Sequence, residues 1–188
     1  MLLLKDRSMK KLLILVTLIC LFLISTPSFA QENSASSSAQ IPVDYMLPYP
    51  GLLPDSPFYF LRATRDKIIS FLISDPLKKS EFDLLQADKR LSAGVYLGNK
   101  NKFEMAATSI SKGENYFESA LEKAREAKKA GQSVEDIAQR LDKSAQKHEE
   151  VIKDLESKTK GNLKTTFAAE EKRADDFENR AKEFLPQK

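Results

Sequence analysis

Tryptophan is absent from this 188-residue chain, and cysteine and histidine occur once each. Structural zinc sites take about four Cys or His ligands, so one of each cannot build one within the chain. Cys20 lies inside an N-terminal apolar run, and the chain beyond it has no thiol for nucleophilic catalysis or a disulfide. A di-iron helical bundle needs Glu-x-x-His on two helices, but position 145 is alanine and His148 has no second histidine to join it. With six glycines in all, no glycine-rich phosphate or dinucleotide loop is present. No metal and no cofactor is expected. A Ser-His-Asp site would rest on His148, on a long helix seam with no strained turn beside it.

Charge of one sign is also missing. Residues 1–30 hold Lys5, Arg7, Lys10 and Lys11 against Asp6, four of the 30 basic and one of the 27 acidic residues, which leaves 26 of each sign beyond them. A neutral, sign-mixed chain does not present the basic face of a nucleic-acid binder. Residues 1–30 themselves have the order of an export signal. Lys10 and Lys11 precede an apolar core at 12–24, and Ser28-Phe29-Ala30 supplies small residues at the peptidase positions. The expected location is therefore extracytoplasmic or extracellular, with an N-terminal membrane anchor as the alternative if the segment is kept. Residues 31–40, QENSASSSAQ, read as a disordered tether.

What the chain does have is proline in one place. Residues 47–67, LPYPGLLPDSPFYFLRATRDK, hold four of its eight prolines. Tyr49-Pro50-Gly51-Leu52 suits a type II turn, in which proline presets the second position and glycine takes positive φ at the third. Asp55 or Ser56 is placed to cap a helix starting at Pro57. The run VDYMLPYPGLLPDSPFYFLRATRDKI, then SDPLKKSEFDLLQADKRLSAG and SKGENYFESA, resembles a bacterial family of exported helical proteins known as a domain of unknown function. The resemblance spans about 43–131 with a VDYxLPYPGxLPDSPxY, DPxKK, ADKRL signature. It implies an exported all-helical domain with no assigned activity, and it supplies no catalytic residues.

Beyond the prolines the pattern is helical throughout. Phe58, Leu61, Ile68 and Leu72 form an apolar stripe, widened by Ile69, Phe71 and Ile73, that predicts a first helix buried more deeply than the others. Asp75-Pro76 opens a second helix that Gly98-Asn99 should stop, and a third runs over about 102–130 to Gly131. Ser133 is placed to cap a fourth, with the seam Val134, Ile137, Leu141, Ser144, His148, Val151 and Leu155. Gly161 separates it from a fifth, with Leu163, Phe167, Glu170, Ala174, Phe177, Ala181 and Phe184. The expected fold is all-α: an elongated antiparallel bundle of about five helices with coiled-coil-like seams, preceded by a proline-rich extended segment. Residues 41–131 would carry the motif and three core helices, and 132–188 a helical hairpin packing on that core or projecting from it.

No catalytic constellation emerges, so a non-enzymatic envelope protein with an interaction or structural role is expected, its partner a protein or other envelope component. A sensor or holdase-like binding protein is the alternative, and an enzyme using carboxylates with Arg62 or Arg65 a more distant one. Membrane contact is expected only through an uncleaved N-terminal segment. The candidate binding surface is the proline motif: Tyr49, Pro50, Gly51, Pro54, Asp55, Tyr59, Arg62 and Arg65. If the export reading holds, intact-mass analysis of protein recovered from the cell envelope will place the mature N terminus at Gln31. A mass that retains residues 1–30 would make the chain membrane-anchored.

Overall fold

A computed structural model describes residues 42–185; the stretches read as export signal and tether, and Pro186, lie outside them. Five helices follow a proline-rich strap: α1 (Tyr59–Leu72), α2 (Pro76–Asn99), α3 (Phe103–Lys129), α4 (Glu135–Ser157) and α5 (Gly161–Lys182). Among the described residues there is no strand, and the helices pack as a bundle.

The core belongs to α2 through α5. One cluster joins Leu84 of α2, Phe117 and Leu121 of α3, Ile137 and Leu141 of α4, and Phe177 of α5. A second joins Leu91 and Leu97, Ile110, Ile152 and Phe167. Large side chains such as these, removed fully from water, contribute about 1.5–3 kcal/mol each. Between them sit Ala87, Ala120, Ala124, Ala145, Ala174 and Ala181, all fully buried, which let the helix backbones come close. Two glycines of α2 are packed as tightly: a Cβ at Gly94 would lie 2.6 Å from Ile110 Cγ1, and one at Gly98 2.6 Å from Leu155 Cδ2.

The fifth-helix seam falls where its spacing put it: Phe167, Glu170, Ala174, Phe177, Ala181 and Phe184 are all buried, while Leu163 is half-buried. On α4 the seam drifts. Ile152 is buried and Val151 only half-buried, because a helix of 3.6 residues per turn slips against a strict 3-4 alternation.

Several helix ends differ from expectation. Asp75 does cap α2, accepting from Lys78 N at 2.8 Å ahead of Pro76. Asp55 caps nothing, because Lys100 and Lys102 hold its carboxylate at 3.2 and 2.7 Å. Helix α1 therefore starts at Tyr59 rather than Pro57, with no side-chain cap. Helix α2 does end at Asn99, where Gly98-Asn99 placed its stop, but the left-handed residue is Asn101 at φ 57°, and Gly98 is helical and buried beside Leu155. Ser133 does not cap α4, whose N-cap position is Val134.

The largest departure is α1. Expected to be the most buried helix, it buries only Asp66. Phe60, Ile68, Phe71 and Leu72 are 62, 56, 87 and 70 % exposed. The helix lies beside α2 and turns its apolar stripe outward.

The tight packing at Gly94 carries a prediction. Gly94→Ala should overpack the α2–α3 contact and cost about 1–3 kcal/mol in urea unfolding. An unchanged midpoint would mean that the two helices are further apart than described.

Candidate functional site

The strap is fixed at both ends by polar contacts. At its start, Val43 N donates to Glu150 Oε2 at 2.8 Å, and the Tyr45 hydroxyl donates to Asp88 Oδ2 at 2.6 Å. At its turn, Gly51 has φ +71°, the positive value its sequence position called for. The guanidinium of Arg62 reaches back from α1 to donate to the carbonyls of Pro50 and Leu52. Carbonyls freed by the prolines thus find a donor on the next helix.

These contacts explain why α1 lies as it does. Its bundle-facing side carries Tyr59, Arg62, Asp66 and Ser70. The Tyr59 hydroxyl accepts from Arg90 Nη1 at 2.7 Å, and Ser70 accepts from Lys79 Nζ. Asp66, 3 % exposed, is paired with Arg65 at 2.8 Å and Arg62 at 3.6 Å. Burial holds the Arg62 guanidinium below its ordinary pKa, against the opposing pull of Asp66. Burial, then the charge of Arg62, lowers the Lys89 ammonium in the same way. The polar side of an amphipathic helix is thus spent inward and the apolar side faces out.

The eight candidate residues of the motif have different fates. Pro50 is buried, while Gly51 and Arg62 form the turn contact just described. Tyr49 is exposed, its ring edge-on to Tyr96 at 6.2 Å. Asp55 is tied to Lys100 and Lys102, and Arg65 is exposed beyond its pairing with Asp66. Pro54 and Tyr59 line a half-open pocket of about 190 Å³ with Arg90, Met105 and Ser109. Most of the motif is therefore occupied in holding itself to the bundle.

Sequence reasoning missed a second constellation, buried between α2, α3 and α4. His148 is fully buried, its Nδ1 2.7 Å from Glu114 Oε1 and its Nε2 3.3 Å from Asp88 Oδ1. Ser144 Oγ donates to the same Asp88 oxygen at 2.6 Å, and the ring of Phe117 stands edge-on to the imidazole at 5.1 Å. Burial alone would lower the histidine pKa. The charges and hydrogen bonds of Glu114 and Asp88 together outweigh it and bring it up to about 9, so an imidazolium sits between two carboxylates at neutral pH. Burial, then the charge on Asp88, pushes the Tyr45 phenol above its ordinary value, so it stays a donor. Among the described residues Glu114 Oε2 has no hydrogen-bond partner. Ser144 donates to the carboxylate rather than to the imidazole, and the group is sealed from solvent, so it is built to hold helices together. The available signal was spacing: Asp88 lies four residues after Leu84 and three before Leu91, and Glu114 four after Ile110 and three before Phe117, core positions for a carboxylate.

Elsewhere, Glu149, Asp175 and Glu178 bring their oxygens within 4.8 Å of one another, and Lys182 already pairs with Glu178 at 2.6 Å.

Against this geometry, the family described as Domain of unknown function (DUF5667) matches residues 51–162. The chain belongs to this family. The match extends past residue 131, where the sequence resemblance ended, through the whole of α4, and so includes all three members of the Asp88–His148–Glu114 cluster. No curated protein and no solved structure matches the chain.

Two measurements follow. A histidine whose folded pKa, about 9, lies above its ordinary 6.5 stabilises the fold fully below pH 6.5, and that contribution is lost as pH rises through 9. Urea unfolding should therefore weaken by on the order of 3 kcal/mol across this window, at about 1.36 kcal/mol per unit; a flat or rising profile would contradict the imidazolium. Gly51→Val should cost about 1–3 kcal/mol by forcing a β-branched residue into the left-handed region. A Tm equal to that of the parent would mean the strap is merely tethered.

Proposed function

We propose that this chain is a non-enzymatic, exported helical protein of the cell envelope whose role is to bind another component through α1. The observation that carries the reading is the outward apolar stripe of Phe60, Ile68, Phe71 and Leu72 on a helix locked in place by its polar side. Soluble folds turn such stripes inward, and a contiguous exposed one marks an interaction surface. Export is supported by the order of residues 1–30, and a non-catalytic role by the sealing of the His148 cluster. Among the described residues no helix is long and apolar enough to cross a membrane.

A holdase-like binding role is favoured by the same exposed stripe, since a holdase needs apolar surface open to unfolded chains. The two readings differ in selectivity. In a strain lacking the native copy, Phe71→Ser/Leu72→Ser should fail to restore the envelope phenotype while reaching wild-type levels outside the cytoplasm. Full complementation by this variant would remove α1 from the function. Suppression of aggregation of unrelated unfolded proteins, lost in the variant, would favour the holdase.

A further inference from the structure

Going round α1 at about 100° per residue, the outward arc begins with Lys67, continues through Phe60, Phe71, Ile68, Leu61 and Leu72, with Thr64 among them, and ends with Arg65. All eight residues are exposed. An apolar band flanked by Lys67 and Arg65, with Ile69 half-exposed just past Arg65 and with Tyr59, Arg62, Asp66 and Ser70 turned into the protein, is the layout of a helix lying in a membrane interface. The aromatic and aliphatic side chains enter the acyl boundary, and the long Lys and Arg stems reach back to the headgroups.

Charge decides between the possible occupants. The single carboxylate of α1, Asp66, is buried and paired, so the exposed charges of the helix are both positive. On its inner side lie Arg62 of the same helix and Lys89, both beside Asp66, and Arg90, which donates to the Tyr59 hydroxyl, three further cations near one carboxylate. Of the neighbouring carboxylates, Asp55 faces both Lys100 and Lys102, Asp83 faces Lys79, Asp75 is held by Lys78 N and Gln132, and Glu104 lines the pocket beside Arg90 and Lys112, so cations outnumber them. The local field is therefore positive although the chain beyond residue 30 is neutral. A second copy suits this face poorly. Arg65 sits at the middle of α1, and a two-fold antiparallel pairing would set it against its own copy with Lys67 close by.

We propose that α1 docks this protein on an anionic lipid surface, with Phe60, Ile68, Phe71 and Leu72 inserted and Arg65 and Lys67 at the headgroups. This deepens the binding role proposed above by naming the partner. It also gives the folded domain a membrane contact independent of residues 1–30, to which the sequence had assigned the only one.

The test uses the chain from Gln31 onward, which removes the apolar signal segment. Every described hydrogen bond and both apolar clusters lie within Val43–Leu185, so the fold is retained. Sedimentation is measured with vesicles of phosphatidylcholine, alone or mixed with phosphatidylglycerol. The parent should bind the mixed vesicles and not the neutral ones. Phe71→Ser/Leu72→Ser and Arg65→Glu/Lys67→Glu should each weaken binding by about tenfold or more, since insertion and electrostatic attraction both contribute. Thermal melts should be unchanged for the first pair, whose side chains are exposed. Absence of parent binding, equal binding to neutral vesicles, or undiminished binding by either variant would overturn the proposal. So would a lipid-free dimer in sedimentation velocity that Phe71→Ser/Leu72→Ser abolishes, which would give the face to a second copy. If vesicles fail but that variant still fails to complement, α1 keeps its binding role and only the lipid is wrong.

Discussion

An imidazolium held between two carboxylates in a dry helical core is the constraint from which the rest of this structure follows. Asp88, Glu114 and His148 come from three different helices, and all three are buried away from bulk solvent. Charges in that position are tolerated only when each has its partner, so the cluster fixes the register of α2, α3 and α4 more sharply than their many alanines could. Apolar packing supplies most of the stabilisation, but small residues slide easily past one another. The ion cluster does not.

The cluster also reaches outward. Asp88 accepts from Tyr45 as well as from Ser144, which pins the start of the strap to the core. The prolines keep the strap extended, and its turn offers two carbonyls that, among the described residues, Arg62 satisfies. Arg62 belongs to α1, so the same helix face that carries it must turn toward the bundle. With Tyr59, Asp66 and Ser70 on that face, the apolar stripe is left outside. An exposed apolar surface is thus the consequence of a chain of buried polar contacts rather than of loose packing.

Much of the bundle was legible in the sequence because α2 to α5 obey one rule: apolar and small residues at three- and four-residue spacing face the core. Phe117, Leu141 and Phe177 sit where that rule puts them. The orientation of α1 was not legible, because spacing reveals that a helix has an apolar side and says nothing of what covers it. Phe71 looks as buried as Phe117 in a sequence. Helix caps were unreliable for a related reason. Asp55 is a good cap, but two lysines distant in sequence compete for it and win. The histidine cluster lay between these cases. His148 was placed on its seam, but its partners Asp88 and Glu114 were not picked out, although both occupy core positions.

The central claim, that α1 turns its apolar side to solvent, is open to direct measurement because the chain beyond Cys20 has no cysteine. In the chain from Gln31 onward, a single thiol at Phe71→Cys should react with a maleimide nearly as fast as a free peptide thiol. A thiol at Ala124→Cys, a fully buried position in α3, should react only as fast as the protein unfolds. Equal protection at the two positions would show that α1 is packed apolar side in, and the account of its surface would fall.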